Sequence, residues 1–424
     1  MKSKRYFRVW HYITAIIFLI GIIRFPEILL TFKLFHEFIF LSFSQHGFFV
    51  HQFNFEIADQ FASVVILFAS AVMTLIKREK WKFLNLKCDA TVSAAVLLTA
   101  LAVLTPLISP FNPNLQFDLS VAKNLSPLSV KELIESDFLQ SNDENPLTEY
   151  FNIKKEILRD VCDQNFYLAD STNIQELKSY QKGRELSLNK TGMEITGVKK
   201  IIFPFGTDEY GRDLFSRMIY ATRLSILIGL GAVFFTFIIG VSLGFTAGYF
   251  SRTMDLVLNR FTEMLLAFPT IFLVILFLAS FGNSLINVVF VLGIAGWMSL
   301  FKIVRGEIIS LKSKNYILTS RNLGMSKTEL LRKEFIPLLL PSISVNLVFQ
   351  FANVIIAESS LSFLGLTGDH FYPSWGTLMQ EGQFYLQQAW WITLWPCIFI
   401  VVTLLTINSI GKRISQYVSP FIRI

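Results

Sequence analysis

Charge is what this chain has least of. Only 16% of its 424 residues are Asp, Glu, Lys or Arg, against about a quarter in an average soluble domain. That shortage excludes an ordinary water-exposed globular surface. Cysteine is almost absent too, with Cys88, Cys162 and Cys397 alone. They form no CxxC or paired spacing, so neither a thiolate metal cluster nor a disulfide framework is indicated, and they read as small buried-type hydrophobes. There is no G-x-x-x-x-G-K-[ST] loop, the usual means of holding a nucleotide phosphate. No H-E-x-x-H, G-x-S-x-G or catalytic carboxylate pair stands in a suitable context, so the chain reads as non-catalytic. His36, His46 and His51 lie too loosely for a metal site and read as interfacial aromatics.

What is abundant is apolar: 53% of the residues, including 43 phenylalanines. Runs near the roughly 20 residues a bilayer requires fall at 9–30, 58–77, 89–109, 222–249, 262–281, 284–304, 338–357 and 390–410. The fold class is therefore an all-α polytopic membrane protein with about eight crossings. The basic start (Lys2, Lys4, Arg5) and "ITAIIFLIGII" are followed by "RFPEILLTF" rather than by a small-residue cleavage site. An uncleaved first helix is expected. The run "FHEFIFLSF" (36–44) is too short to cross and is assigned to the interface or a loop.

The net charge is +7, but the Lys and Arg residues flank the apolar runs, which speaks for topology rather than nucleic acid. "KSKR" (2–5), "KREKWKFLNLK" (77–87), "SRTMDLVLNR" (251–260), the stretch 302–333 and "GKR" (411–413) all fall on one face if there are eight crossings. The positive-inside rule makes that face cytoplasmic, with both termini inside. Residues 110–221 then lie outside, in a loop far longer than a normal connection. Either a small domain or a loose polar loop fits it, and "SVKELIESDFL" and "YFNIKKEILRDVC" carry helix-like apolar spacing.

On the basic face one polar stretch stands out, "SRNLGMSKTELLRKEFIPLLLP" (320–341). Gly324 suits the left-handed position that ends a helix. Ser326 and Glu329 fit a capping box, with Met325 and Leu330 placed as its hydrophobic staple. Pro337 is expected to limit helix continuation into the next span. A helix, a glycine corner and a second helix would present a rigid surface to a partner.

Elsewhere Gly240, Gly244 and Gly248 form a small-xxx-small ridge for close helix approach, and Pro269 suits a kink. Glu263 and Glu358 are carboxylates at span ends, hence candidates for the transport pathway, though interfacial hydration makes them inexpensive. Asp208, Arg212 and Asp213 sit in a glycine-punctuated run that suits either a hydrogen-bonded turn or contact with a binding protein. Trp297, Trp375, Trp390 and Trp391 read as interfacial anchors.

From about residue 88 to 420 the chain resembles the second permease subunit of dipeptide, oligopeptide and nickel ABC importers. "FGTDEYGRDLFSRMIYATRLSILIG" (205–229), "GVSLGFTAGYFSRTMDLVLNRFTEMLLAFPT" (240–270), "AESSLSFLGLTGDHFYPSWG" (357–376) and "LTPLISPFNPN" (104–114) resemble that family's motifs in order. The 320–341 stretch is similar to its cytoplasmic E-A-A-x3-G-x9-I-x-L-P loop. Gly324 and Pro337 match, while Leu318, Thr319 and Ser320 replace Glu-Ala-Ala and Glu334 replaces the later Ile. The resemblance implies that Thr319, Ser320, Gly324, Ser326, Glu329 and Pro337 belong to an ATPase-coupling loop within 305–337. It implies a homologous permease, two cytoplasmic ATPase subunits that bind ATP and Mg, an extracytoplasmic solute-binding protein and a bacterial inner-membrane location. Peptides are the expected cargo and nickel the alternative; a secondary transporter or a membrane sensor without an ATPase is the competing class. The expected organisation is an N-terminal extension with two spans (1–87), a first core helix (88–109), the outer loop or domain (110–221) and the permease core (222–424). Residues 1–87 lie outside the resemblance, and the loop 115–200 is longer than the family usually carries.

Overall fold

The structure is a computed structural model. It describes residues 9–44, 55–76, 89–117, 119–137, 150, 153–154, 157, 166–169, 178–181, 184–187, 194–250, 252–322, 324–367 and 372–418. His46, His51, Cys88 and Cys162 lie outside the described residues, as do the basic stretches 2–5 and 77–87.

Internal packing divides the chain into two units. The first comprises residues up to Arg223 with 371–373 and 381–397; the second comprises 224–370, 374–380 and 398–424.

The first unit opens with α1 (Val9–Ile23) and α2 (Phe25–Ser44), bent by 74° at their junction. The run 9–30 was expected as one span and 36–44 as a loop or interface; instead the break falls at Arg24, and everything from Phe25 to Ser44 is one helix. Two features fix it. The Arg24 guanidinium donates to Glu27 at 2.5 Å and to the Ile108 carbonyl at 3.2 Å, and Pro26 suits the first turn of a new helix. Helix α3 (Phe55–Ile76) and α4 (Ala90–Val103) follow. Pro106 opens a separate short turn, α5 (Thr105–Ile108), so the expected 89–109 helix is broken at Leu104.

Between α5 and the next long helix come α6 (Leu119–Ala122), β1 (Ser129–Asp137), β2 (Phe166–Ala169), β3 (Lys178–Gln181), β4 (Arg184–Ser187) and β5 (Glu194–Phe203). The stretch "SVKELIESD", expected as helix, is a strand. It pairs antiparallel with β2 and along its length with β5, giving the order β2-β1-β5. Partners some sixty residues away outweigh local helix spacing, because β preference is largely a matter of context. Leu133, Leu168 and Phe203 bury their side chains with Leu115, Phe117, Val121 and Ala122. The loop thus has its own sheet and core. Described residues of "YFNIKKEI" are helical, as their spacing predicts.

Helix α7 (Leu214–Tyr249) starts in the first unit and continues through the second. There it is joined by α8 (Arg252–Leu266), α9 (Thr270–Phe281), α10 (Leu285–Lys312), α11 (Asn315–Asn322), α12 (Lys327–Leu330), a π-helical segment Leu331–Phe335, and α13 (Ile336–Phe363). After α14 (Trp375–Gly382), α15 (Trp391–Val418) closes the chain. Among the described residues, four helices are long and apolar enough to cross a membrane, two bent pairs add up to two more, and α3 and α4 carry shorter apolar stretches. The expected span 262–281 is the second bent pair, turned by 88° between α8 and α9. The bend expected at Pro269 is a full break between two helices, helped by proline's disfavouring of helical backbone at Phe268.

Candidate functional site

The glycine-punctuated run 205–217 builds a buried polar cluster in the first unit. Gly206 and Gly211 have φ of +80° and +71°, and a Cβ at Gly206 would stand 2.3 Å from the Leu125 carbonyl oxygen. The turn they allow aims Asp208 inward. Its Oδ1 accepts the Tyr210 and Arg212 amides, both at 2.9 Å; its Oδ2 accepts Arg212 Nε at 2.7 Å and Arg217 Nη1 at 2.6 Å. Arg217 also donates to Glu381 at 2.5 and 3.1 Å, and Arg212 does so at 3.2 Å. Burial pushes the Glu381 carboxyl up, but the two guanidiniums outweigh it and hold it below the usual range. Asp213 caps α7: its Oδ2 accepts the Ser216 amide at 2.8 Å and the Ser216 hydroxyl at 2.6 Å. Burial outweighs those bonds, and the Asp213 carboxyl is pushed up to about 6. Asp208, Arg212 and Asp213 thus form the hydrogen-bonded turn their spacing suits, and all three are buried. Glu381 and Arg217 were not among the candidates, because nothing local links residues 164 apart in the chain.

A second cluster lies in the other unit. Glu358, expected near a hydrated interface, is fully buried. It lies inside α13, which runs six residues past the expected end of the span. Its carboxyl oxygens accept the hydroxyls of Ser362 at 2.8 Å, Ser225 at 3.2 Å and Ser359 at 3.4 Å. The Trp375 amide donates to Ser225 Oγ at 3.4 Å. A Cβ on Gly376 would lie 2.4 Å from the Ser359 carbonyl, so the glycine of "PSWG" lets α14 lie directly on α13. Glu263, by contrast, is exposed on α8, where it accepts from Asn259 and Arg260 of its own helix. Trp297, Trp375 and Trp391 are buried rather than interfacial; only Trp390 is exposed. Indole volume suits a core as well as a membrane boundary.

The third feature is the corner at 313–337. Gly324 has φ +87°, and the Met325 amide reaches back to the Ser320 carbonyl at 3.3 Å, the bond that closes a Schellman turn. Ser326 and Glu329 cap α12 reciprocally: the Glu329 amide donates to Ser326 Oγ at 3.3 Å and the Ser326 amide to Glu329 Oε2 at 3.2 Å. Hydrogen bonds from Ser326, aided by Lys333, hold the exposed Glu329 carboxyl below its usual range. Thr319 is exposed and Ser320 half-buried on α11. Pro337 does not limit the helix. The run continues from Lys327 to Phe363 through the π-helical segment, where the Ile336 amide bonds the Leu331 carbonyl five residues back. One wide turn absorbs the carbonyl clash and missing donor that proline imposes.

The corner is fixed to three long helices. Ile317, Leu330 and Phe335 share one core with Leu300, Val304, Ile308 and Leu311 of α10, Leu339 and Ile343 of α13, and the flanking Val241, Phe245 and Tyr249 of α7. The glycine ridge makes this approach possible. Cβ atoms at Gly240, Gly244 and Gly248 would lie 2.8–2.9 Å from Leu300, Val304 and Ile308. Arg305 of α10 pairs with Asp255 of α8, Lys312 donates to the Tyr249 carbonyl at 3.0 Å, and Ser342 donates to Glu307 at 2.9 Å. Helix α10 therefore packs against the corner and contacts α7, α8 and α13.

The long apolar helices, and the polar corner packed against them, define a class, the polytopic helical membrane protein. Comparison with known proteins specifies it. Residues 240–424 match the family described as "Binding-protein-dependent transport system inner membrane component". The dipeptide transport system permease protein of Bacillus subtilis is 34% identical over 220 residues, 52% of this chain and 69% of the relative. The oligopeptide transport system permease protein of Haemophilus influenzae is 33% identical over 216 residues, 51% and 70% of the two chains. A solved inward-facing methionine ABC transporter aligns over 47% of this chain and 95% of its own, with 14% identity and a TM-score of 0.41. The chain belongs to the dipeptide/oligopeptide family of ABC importer permeases. It is a multi-pass inner-membrane protein that works with ATPase subunits and a binding protein.

Proposed function

We propose that this chain forms half of the peptide pathway in an ATP-driven importer, beside one homologous permease and above two ATPase subunits. The ATPases bind ATP and Mg; this subunit contributes helices and coupling, with no catalytic step of its own. Both termini and the 305–337 segment face the cytoplasm, where the corner meets an ATPase. Residues 315–323 and 325–334 supply the contact surface. Gly324 sets its angle, and Ser326 with Glu329 keeps it stiff. Pro337 follows in the helix that carries its motion into α13.

The observation that carries this reading is the shared core of the corner with α7, α10 and α13. A force applied at Met325 or Leu330 has no slack to dissipate in, because close-packed interiors transmit displacement. Alternation of the pathway between outward and inward access follows when α10 takes α7 and α13 with it. The peptide cargo is supported by the relatives, which are named as dipeptide and oligopeptide permeases.

The test is ATPase activity of the purified, reconstituted assembly, challenged with binding protein plus dipeptides, longer peptides or nickel. Stimulation by peptides supports the reading and names the length class. Stimulation by nickel alone replaces the cargo, and failure to capture any ATPase removes the coupling role.

A further inference from the structure

The two parts of the chain that fall outside the family frame, the N-terminal extension and the long insert, are not independent additions. Helix α2 turns Leu34, Phe38 and Leu41 onto Tyr150, Ile153 and Ile157 of the insert, with Ile57 of α3 completing the cluster. The Phe38 and Tyr150 rings lie 6.4 Å apart. On its other side α2 leaves Phe25, Leu29, Phe32, Ile39 and Phe40 exposed, the two-faced character of a helix resting at a membrane interface. The extension also grips the first core helix. Ile20, Ile28, Val64 and Leu67 bury against Leu104 and Leu107, and Ser63 Oγ donates to the Val103 carbonyl at 3.3 Å. Most telling is Asp59, in the second turn of α3: both its oxygens accept the Arg223 guanidinium of α7. Arg223 lies within the apolar stretch of α7, and only about a fifth of its side chain is exposed.

We propose that α1–α3 and the insert's helical face form one accessory module, and that the Asp59–Arg223 pair fastens that module to the transport helix α7. An arginine here would be costly to leave unpaired, because breaking a desolvated pair strands one charge. The extension supplies the carboxylate, and a bidentate fork fixes angle as well as distance. Asp59 is in this sense a positioning residue, acting on the pathway helix through Arg223. The inference is independent of the cargo and of the coupling corner.

The test uses the full chain in its assembled complex. Asp59→Arg and Arg223→Asp are made singly and together, and trypsin cleavage within 129–203 is timed alongside uptake. Each single change should speed cleavage at least about tenfold, the scale of a coupled charge pair, and lower uptake; the double swap should restore both. Singles that cleave at the wild-type rate, or a double as impaired as either single, overturn the clamp. If the charge reversals fail to insert, Asp59→Asn tests the same point without a new charge. Separately, Phe38→Cys with Tyr150→Cys, in a chain whose native cysteines are serine, should be joined by a short homobifunctional maleimide; absence of that cross-link overturns the module. Retained cross-linking with silent charge variants keeps the module and rejects the clamp.

Discussion

Two polar regions of this protein are built from similar residues and to opposite effect. Around Asp208 and Arg217, carboxylates and guanidiniums are buried and each makes several bonds, so no member can move without stranding another. Around Ser326 and Glu329 the bonds are few and exposed, and Gly324 has open space around it. Buried charge networks are costly to break, whereas exposed caps contribute modestly. The first arrangement holds an end of α7 still. The second leaves a shaped corner exposed at its polar tip, though its apolar side is packed. Charge serves rigidity in one place and access in the other.

The contrast breaks most visibly at Arg217. Arg217→Met should cost about 3–5 kcal/mol, because Asp208 and Glu381 lose their shared partner and are left to Arg212 alone. Thermal unfolding in detergent reads this out, and Arg217→Lys should recover only part, lacking the two-pronged geometry. Next is Gly244→Val, which drives a branched side chain into Val304 and the Phe301 carbonyl. A loss of about 1–3 kcal/mol is expected from such overpacking, seen as a lower melting temperature of the complex.

Asp213 sharpens the comparison through pH. Its folded pKa, about 6, lies above the ordinary 3.8, so the folded state keeps a proton that the unfolded chain has already released. Its contribution to stability is therefore fully present below the unfolded value and is lost as pH rises through about 6. The upper bound is about 3 kcal/mol from the size of that shift. Asp213→Asn should flatten the stability profile between about pH 4 and pH 6.5; an unchanged profile would assign the proton elsewhere.

The smallest stability effects belong to the corner. Gly324→Val meets no neighbour but must hold a left-handed backbone, costing about 1–2 kcal/mol, and Ser326→Ala loses a cap worth about 1 kcal/mol. Transport should rank them the other way. Gly324→Val should lower uptake per ATP hydrolysed by about tenfold while leaving the subunit in the membrane, the scale of a lost coupling energy. Normal uptake by that variant would remove the corner from the coupling path.

Much of this was legible beforehand. Apolar runs, the Gly324 corner and the Ser326–Glu329 box depend on residues within a few positions of one another. So does the glycine ridge, whose spacing alone puts Gly240, Gly244 and Gly248 on one helix face. What was not legible depends on distant partners. The strand at 129–137 owes its state to β5, the burial of Glu358 to Ser225, and the tying-down of Arg217 to Glu381. The helix that runs on past Pro337 needed a change of hydrogen-bond register that no residue type announces.

The sequence by itself determined that the protein lives in a membrane, where its apolar runs lie, where its corner turns and which family it joins. These follow from hydrophobic transfer and local backbone preference, both additive along a chain. Only the tertiary structure decided which charges are buried together, that the long loop carries a sheet, and that α2 supports the insert. Those outcomes rest on contacts between segments far apart in the chain, and the free energy of burying a charge depends wholly on what is folded against it.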